Sequence, residues 1–126
     1  MKAYTDLEQS KVLAKILPAE GVDMLWEQHY NNEPIVTIKP WNTTGKSIGA
    51  HVRPCWSLSA LLNYLREIDF FPNIEADEHS VIMSISYYNE KEARPLAPIH
   101  GIKVEADTFV DACYELILKL NKLNML

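Results

Sequence analysis

The clearest structural pattern in the sequence is Val81-Ile82-Met83-Ser84-Ile85-Ser86-Tyr87-Tyr88. Its odd-numbered residues are apolar or aromatic and face one way, and serines share the other face with Ile82 and Tyr88. This period of two is typical of a half-buried β-strand. A second alternating run, Ile99–Ala106, follows a loop that contains Pro95 and Pro98. Two such runs in succession predict an antiparallel pair.

Amphipathic helices are predicted before and after this pair of strands along the sequence. After it, a helix begins at Thr108, and Asp111 in the first turn favours the helix dipole. Its apolar stripe comprises Phe109, Ala112, Cys113, Leu116, Ile117 and Leu120. Before the pair, a helix begins at Ser57, a good N-cap residue. Trp56 and Leu61 occupy the positions of a hydrophobic staple at its start.

Two further strands are predicted nearer the N-terminus, over Met24–Tyr30 and Ile35–Lys39. Asn31–Pro34 between them has the composition of a hairpin turn. After Pro40 the chain is loop-like, and Ser47–Val52 is expected to add at most a short strand.

The remaining segments are a first helix and a connection. The helix is predicted to begin at Thr5, which forms a capping-box pattern with Glu8, and to end at Leu17 because Pro18 follows. Residues 69–80 are polar, contain Pro72, and are predicted to connect the second helix to the next strand without structure of their own.

The predicted fold class is therefore α+β, in the order α-β-β-α-β-β-α, with one mainly antiparallel sheet and helices packed on it. The 126 residues fit a single domain over 1–126. With 48% hydrophobic residues, the chain can bury a core without help from metals or disulfides.

Cellular location follows from what the sequence does not contain. The residues after Met1 include no apolar run typical of a signal peptide. No stretch approaches the roughly 18 apolar residues that span a bilayer. The protein is therefore expected in the cytoplasm, without membrane contact and with Cys55 and Cys113 reduced.

Catalytic, metal and cofactor sites are not predicted. Two cysteines and four scattered histidines do not have the spacing of a metal site. Gly45-Lys46-Ser47 resembles the end of a phosphate-binding P-loop, but Pro40 stands where that motif needs glycine. Cys55 precedes a helix N-terminus, with His51 near it in sequence, and is the best nucleophile candidate. A packing role beside Trp56 is favoured for it, so the sequence points away from an enzyme.

Charge is distributed unevenly along the chain. Residues 34–66 contain four Lys or Arg and no Asp or Glu, whereas the rest of the chain has a net charge of −9. Polar and aromatic residues are interleaved with the basic ones, as in surfaces that bind anions, single-stranded nucleic acid or acidic proteins. The candidate binding residues are Lys39, Trp41, Lys46, His51 and Arg53. The alternative is that this segment is poor in acids because it supplies core residues and a helix.

The sequence therefore predicts a non-enzymatic protein that binds another macromolecule. A homodimer is expected, because the basic segment 34–66 and the acidic residues that follow it can steer self-association. Trp41 is expected on the contact surface or folded back onto the core. Two alternatives stay open: a nucleic-acid or anionic-ligand binder, which the overall acidity disfavours, and an enzyme with a site built across loops.

Three stretches together resemble a known group of proteins. They are Tyr4-Thr5-Asp6-Leu7-Glu8-Gln9-Ser10-Lys11, Pro54-Cys55-Trp56-Ser57-Leu58-Ser59-Ala60-Leu61-Leu62 and Val110-Asp111-Ala112-Cys113-Tyr114-Glu115-Leu116-Ile117-Leu118-Lys119-Leu120. The group consists of small bacterial proteins of unknown function that are often encoded in prophage-like or other mobile DNA. The resemblance implies a bacterial cytoplasmic protein with a mobile-element role, and it supplies no activity and no site residues.

Overall fold

The structure is a computed structural model that describes residues 2–28, 33–38, 51–88 and 99–126. Over these residues it has three α-helices and six β-strands, which confirms the predicted α+β class. The elements in chain order are α1 Leu7–Leu13, a 3-10 turn Ala19–Gly21, β1 Met24–Gln28, β2 Ile35–Ile38, β3 His51–Cys55, α2 Leu58–Glu67, β4 Asn73–Ala76, β5 Val81–Tyr88, β6 Ile99–Ala106 and α3 Phe109–Lys122.

The contacts divide the chain into two compact units, Met1–Tyr64 and Leu65–Leu126, and the boundary falls within α2. The first unit contains an antiparallel sheet in the order β2-β1-β3, and the second contains one in the order β4-β5-β6. The strands therefore form two three-stranded sheets where the sequence predicted one. The single domain over residues 1–126 stays a prediction.

The first helix begins one residue later than predicted. Asp6 is the N-cap: its carboxylate accepts from the backbone N–H of Gln9 at 2.8 Å, and the Gln9 side chain accepts from the Asp6 N–H at 3.1 Å. Thr5 cannot cap because its side chain is fully buried and bonded to other residues. The regular helix ends at Leu13 rather than Leu17, although a turn continues through the Leu17 N–H to Leu13 oxygen bond of 2.8 Å.

The first sheet confirms the predicted antiparallel pairing of β1 and β2, which runs from Met24↔Ile38 to Glu27↔Ile35. Residues 29–32, with half of the predicted turn Asn31–Pro34, lie outside the described residues. Of the short strand expected over Ser47–Val52, residues 51 and 52 are described and belong to β3, which pairs with β1, whereas residues 47–50 lie outside the described residues. This strand contains Pro54, which is tolerated because β3 lies at the edge of its sheet. α1 packs against β3.

The second unit is built on the predicted pair of strands. β5 and β6 pair along their full length, from Val81↔Ala106 to Tyr88↔Ile99. α3 packs against both strands and begins at the predicted N-cap Thr108, whose side chain accepts from Asp111 N–H at 3.1 Å. The core of this unit comprises Leu65, Val81, Met83, Ile85, Ile102, Val110, Ala112, Cys113, Leu116, Ile117 and Leu120.

A strand also lies in the segment predicted to be a connection. β4 pairs with β5 from Asn73↔Ser84 to Ala76↔Val81. The turn between them is closed by Asp77, whose Oδ1 accepts from the N–H groups of His79 at 2.7 Å and Ser80 at 2.8 Å. These hydrogen bonds hold the pKa of the Asp77 carboxyl below its ordinary value.

Candidate functional site

The predicted binding residues are only partly described by the structure. Lys39, Trp41 and Lys46 lie outside the described residues, so their roles, including the contact role of Trp41, stay predictions. His51 and Arg53 both lie on β3, opposite Gln28 and Trp26 of β1, and Arg53 is exposed. Residues two apart on a strand share a face and are separated by roughly 7 Å. The structure therefore places both positions on one edge strand.

The nucleophile candidate formed by Cys55 and His51 is disfavoured by the same strand geometry. His51 and Cys55 are the first and last residues of β3, and four residues along a β-strand separate their backbone positions by roughly 13 Å. Cys55 is buried, and this burial raises the pKa of its thiol, although hydrogen bonds from Thr5 and Ser10 act in the opposite direction. Burial also raises the pKa of the Cys113 thiol, to about 12. Both thiols are therefore held in their protonated, weakly nucleophilic form.

Cys55 belongs instead to a buried polar cluster around Thr5. The Thr5 hydroxyl lies 2.8 Å from the Ser10 hydroxyl and accepts from Trp56 N–H at 3.2 Å. The Thr5 carbonyl oxygen accepts from Trp26 Nε1 at 3.0 Å and from Cys55 Sγ at 3.5 Å. Sequence reasoning missed this cluster because its members are up to 51 residues apart. It connects the N-terminal segment to β1 and to the end of β3, which is a structural role.

A serine–carboxylate pair at the start of α2 also has a structural explanation. Ser57 N–H donates to Asp23 Oδ1 at 3.0 Å, and the Ser57 hydroxyl donates to Asp23 Oδ2. The same hydroxyl accepts from Ala60 N–H at 3.1 Å, which is the N-cap bond predicted for Ser57. The hydroxyl is thus engaged both as donor and as acceptor in fixing the helix start.

Metal and membrane sites can be assessed only over the described ranges. There, no group of three or more His, Cys, Asp or Glu side chains is arranged to hold a metal ion. Among the helices of the described residues, none is long and apolar enough to cross a bilayer.

The feature of the second unit that stands apart is β4. All four of its residues are exposed, because α3 packs against β5 and β6 instead. Two large apolar side chains are exposed here: Phe71, just before β4, at 66% and Ile74 at 41%. The signal that could have found this strand is the alternation of Ile74 and Ala76 with Asn73 and Glu75 ahead of a turn that begins at Asp77.

The backbone register shows which groups of β4 point outward. Asp77 N–H donates to the Ser80 oxygen at 3.0 Å, so this pair is hydrogen-bonded. In an antiparallel ladder, hydrogen-bonded and non-hydrogen-bonded pairs alternate. Glu75 therefore bonds to Ile82 of β5, whereas Ile74 and Ala76 direct their N–H and C=O groups away from β5. Within the described part of the chain, β4 pairs with β5 alone.

The edges at β3 and β6 carry features that hinder pairing with a further strand. Just beyond β3, Thr5 N–H donates to the Trp56 oxygen at 2.9 Å and Leu58 N–H donates to the Ala3 oxygen at 3.2 Å. Pro54 removes a donor from β3 itself. On β6, Lys119 Nζ donates to the Lys103 oxygen at 3.3 Å. Within the described residues, β4 is protected by its short length and by the exposed charge of Glu75.

The charge around β4 is negative. From Glu67 to Glu78 the chain contains five carboxylates and no Lys or Arg, and all five side chains are exposed. On the sheet face opposite Ile74, Glu75 of β4 and Glu105 of β6 lie on either side of Ile82. We use the name β4 edge for the strand β4, Phe71, the five carboxylates from Glu67 to Glu78 and the carboxylate of Glu105.

The chain has no match among protein-family models, curated proteins or solved structures. The resemblance to small bacterial proteins of mobile DNA therefore stays a prediction. The candidate site rests on the geometry and charge of the β4 edge.

Proposed function

We propose that this protein acts by binding another macromolecule, a second copy of itself included, and not by catalysis. The observation that carries the proposal is the exposure of Phe71 and Ile74 beside an edge strand that has outward-pointing backbone groups. Phenylalanine and the other aromatic residues are enriched in protein interfaces relative to the rest of the protein surface. The buried, protonated thiols of Cys55 and Cys113 give catalysis no support.

We also place the protein in the bacterial cytoplasm, on the resemblance of residues 4–11, 54–62 and 110–120 to small bacterial proteins. Self-association is supported by charge, because the basic segment 34–66 can attract the acidic residues 67–78 of a second copy. In the described residues, this segment presents Arg53 and Arg66 as exposed cations.

The test for the second copy is the mass in solution, measured by sedimentation velocity over a wide concentration range. The wild-type protein is expected to approach the mass of two chains as concentration rises, and to return towards one chain as salt screens the charges. The matched variant Phe71→Ser removes exposed apolar surface and is expected to dimerise more weakly. A wild-type mass of one chain at every concentration contradicts self-association.

The test for other partners is affinity capture from a bacterial lysate with wild-type protein and with Phe71→Ser. A protein retained only by the wild type, with or without nuclease, supports the proposal. Retention that nuclease abolishes supports the nucleic-acid alternative through the basic segment. If neither partner is captured and the protein is monomeric, the proposed function is wrong.

A further inference from the structure

We propose that β4 binds, as an added strand, an extended segment of another protein in which apolar and basic residues alternate. The proposal rests on the proposed function and names the chemistry of the partner. Addition of a strand to an exposed sheet edge is a general mode of peptide recognition, in which backbone hydrogen bonds supply affinity and side chains supply specificity.

The backbone part of the recognition comes from Ile74 and Ala76. Each directs one N–H and one C=O away from β5, so the edge offers two donors and two acceptors to an incoming strand. These groups lie two residues apart, the spacing at which an extended backbone repeats its own donors and acceptors. A four-residue strand gives a small contact, which is typical of transient binding.

The apolar part of the recognition lies on one face of the sheet. Ile74 pairs with Met83, so it shares the face on which Met83 is buried, yet its own side chain is 41% exposed. α3 covers β5 and β6 and leaves this last strand open. An apolar side chain from an added strand would extend the covered face by one row and remove Ile74 from water.

The basic part of the recognition lies on the other face. Glu75 is exposed there, and Glu105 stands two strands away across Ile82. A side chain of the added strand opposite Glu75 lies within cross-strand distance of its carboxylate, where an opposite charge stabilises the pair. Asp77 and Glu78 extend the negative charge to the adjoining turn. Because successive side chains of a strand point to opposite faces of the sheet, the added strand must alternate apolar and basic residues.

The same charges disfavour two other occupants of this edge. Pairing of β4 with β4 of a second copy would bring the Glu75 and Asp77 carboxylates of two chains together, and like charges across strands destabilise pairing. A nucleic acid would place its phosphates against the same carboxylates. Self-association through the basic segment 34–66 would use the acidic residues 67–78 of a second copy, but it does not need one β4 strand to pair with another.

The experiment measures the binding of three fluorescent hexapeptides to the full chain by fluorescence anisotropy. One alternates Val and Lys, one alternates Val and Glu, and one has three Val followed by three Lys. The alternating Val/Lys peptide is expected to bind at least about fivefold more tightly than either control. Equal binding of the block and alternating peptides would show non-specific charge attraction and would overturn the inference.

A charge swap tests the register on the protein side. Glu75 is exposed, so Glu75→Lys leaves the core unchanged. This variant is expected to bind the Val/Lys peptide about fivefold more weakly than the wild type and to prefer the Val/Glu peptide. The matched control Glu115→Lys changes an exposed carboxylate on α3 and is expected to keep the wild-type preference. An unchanged preference in Glu75→Lys would overturn the inference.

Backbone methylation of the peptide tests the hydrogen bonds without altering the protein. One Val/Lys peptide carries N-methyl groups on its Val residues and another carries them on its Lys residues. Because alternate amides of an added strand face β4, one of the two is expected to bind about tenfold more weakly than the other. Equal affinities would overturn strand addition. A protein that dimerises or captures a partner through Phe71, yet binds none of the peptides, would overturn this inference alone.

Discussion

Replacing Trp56 with alanine is expected to lower the free energy of unfolding by about 3–5 kcal/mol. The Trp56 side chain is 1% exposed and is the largest of the fully buried side chains in the described residues. Its loss removes the transfer free energy of the indole and leaves a cavity that the neighbouring residues fill only in part. Its backbone bonds to Thr5 do not depend on the side chain, so the loss measures packing. Urea unfolding of the wild-type protein and of Trp56→Ala measures the difference in the free energy of unfolding.

The matched control for this prediction is Phe71→Ala. Phe71 is 66% exposed, so its truncation is expected to change the free energy of unfolding by no more than about 0.5 kcal/mol. A large aromatic residue that contributes little to folding is available for contact with a partner. Equal destabilisation by the two substitutions would show that Phe71 packs in the core and would contradict its assignment to the β4 edge.

The second large effect is expected from Thr5→Val, which should lower the free energy of unfolding by about 2 kcal/mol. Valine has the shape of threonine but lacks the hydroxyl. The substitution leaves the buried N–H of Trp56 without its acceptor at 3.2 Å and removes one of the hydrogen-bond partners of the Ser10 hydroxyl, at 2.8 Å. A buried polar group that loses its partner keeps the full cost of its desolvation. Urea unfolding measures the difference.

A conservative substitution of Thr5 and a double-mutant cycle separate this hydrogen-bonded network from simple packing. Thr5→Ser keeps the hydroxyl and is expected to cost about 1 kcal/mol, the value of one buried methyl group. Thr5→Val combined with Ser10→Ala should cost less than the sum of the two single substitutions, because they remove the same hydrogen bond. Strict additivity, or a loss below about 0.5 kcal/mol for Thr5→Val, would contradict the hydrogen-bonded cluster.

The elements that the sequence predicted well are those whose burial follows a regular period. β5 and β6 alternate, and their apolar faces lie under α3, so local pattern and tertiary packing agree. The Ser57 and Thr108 caps were found because a capping side chain bonds to a backbone N–H three residues away. Such information is local and can be read from a short window of the sequence.

The elements that were missed depend on contacts far along the chain. β4 carries no burial pattern because α3 packs against β5 and β6 instead, and its pairing with β5 is what makes it a strand. Thr5 matches a capping pattern, but Ser10 and Trp56 engage its hydroxyl in the interior, and Asp6 caps instead. The division into two sheets depends in the same way on which strands meet, which periodicity does not specify.

The candidate site was predicted least well for the same reason. The basic segment 34–66 was recognised from charge, and the fold places two of its candidates, His51 and Arg53, on one strand. The β4 edge was overlooked because five carboxylates between Glu67 and Glu78 resemble a solvated connection. Its character comes from the direction of backbone groups, and side-chain composition does not report that direction.

Strand addition at β4 can be observed by amide hydrogen exchange, measured by NMR with and without the alternating Val/Lys peptide. In the free protein, the N–H groups of Ile74 and Ala76 are expected to exchange rapidly, whereas that of Glu75, bonded to Ile82, is expected to be protected. Saturating peptide is expected to slow exchange at Ile74 and Ala76 and to change Glu75 little. Protection of Ile74 and Ala76 in the free protein, or rapid exchange at both with peptide bound, would contradict the account.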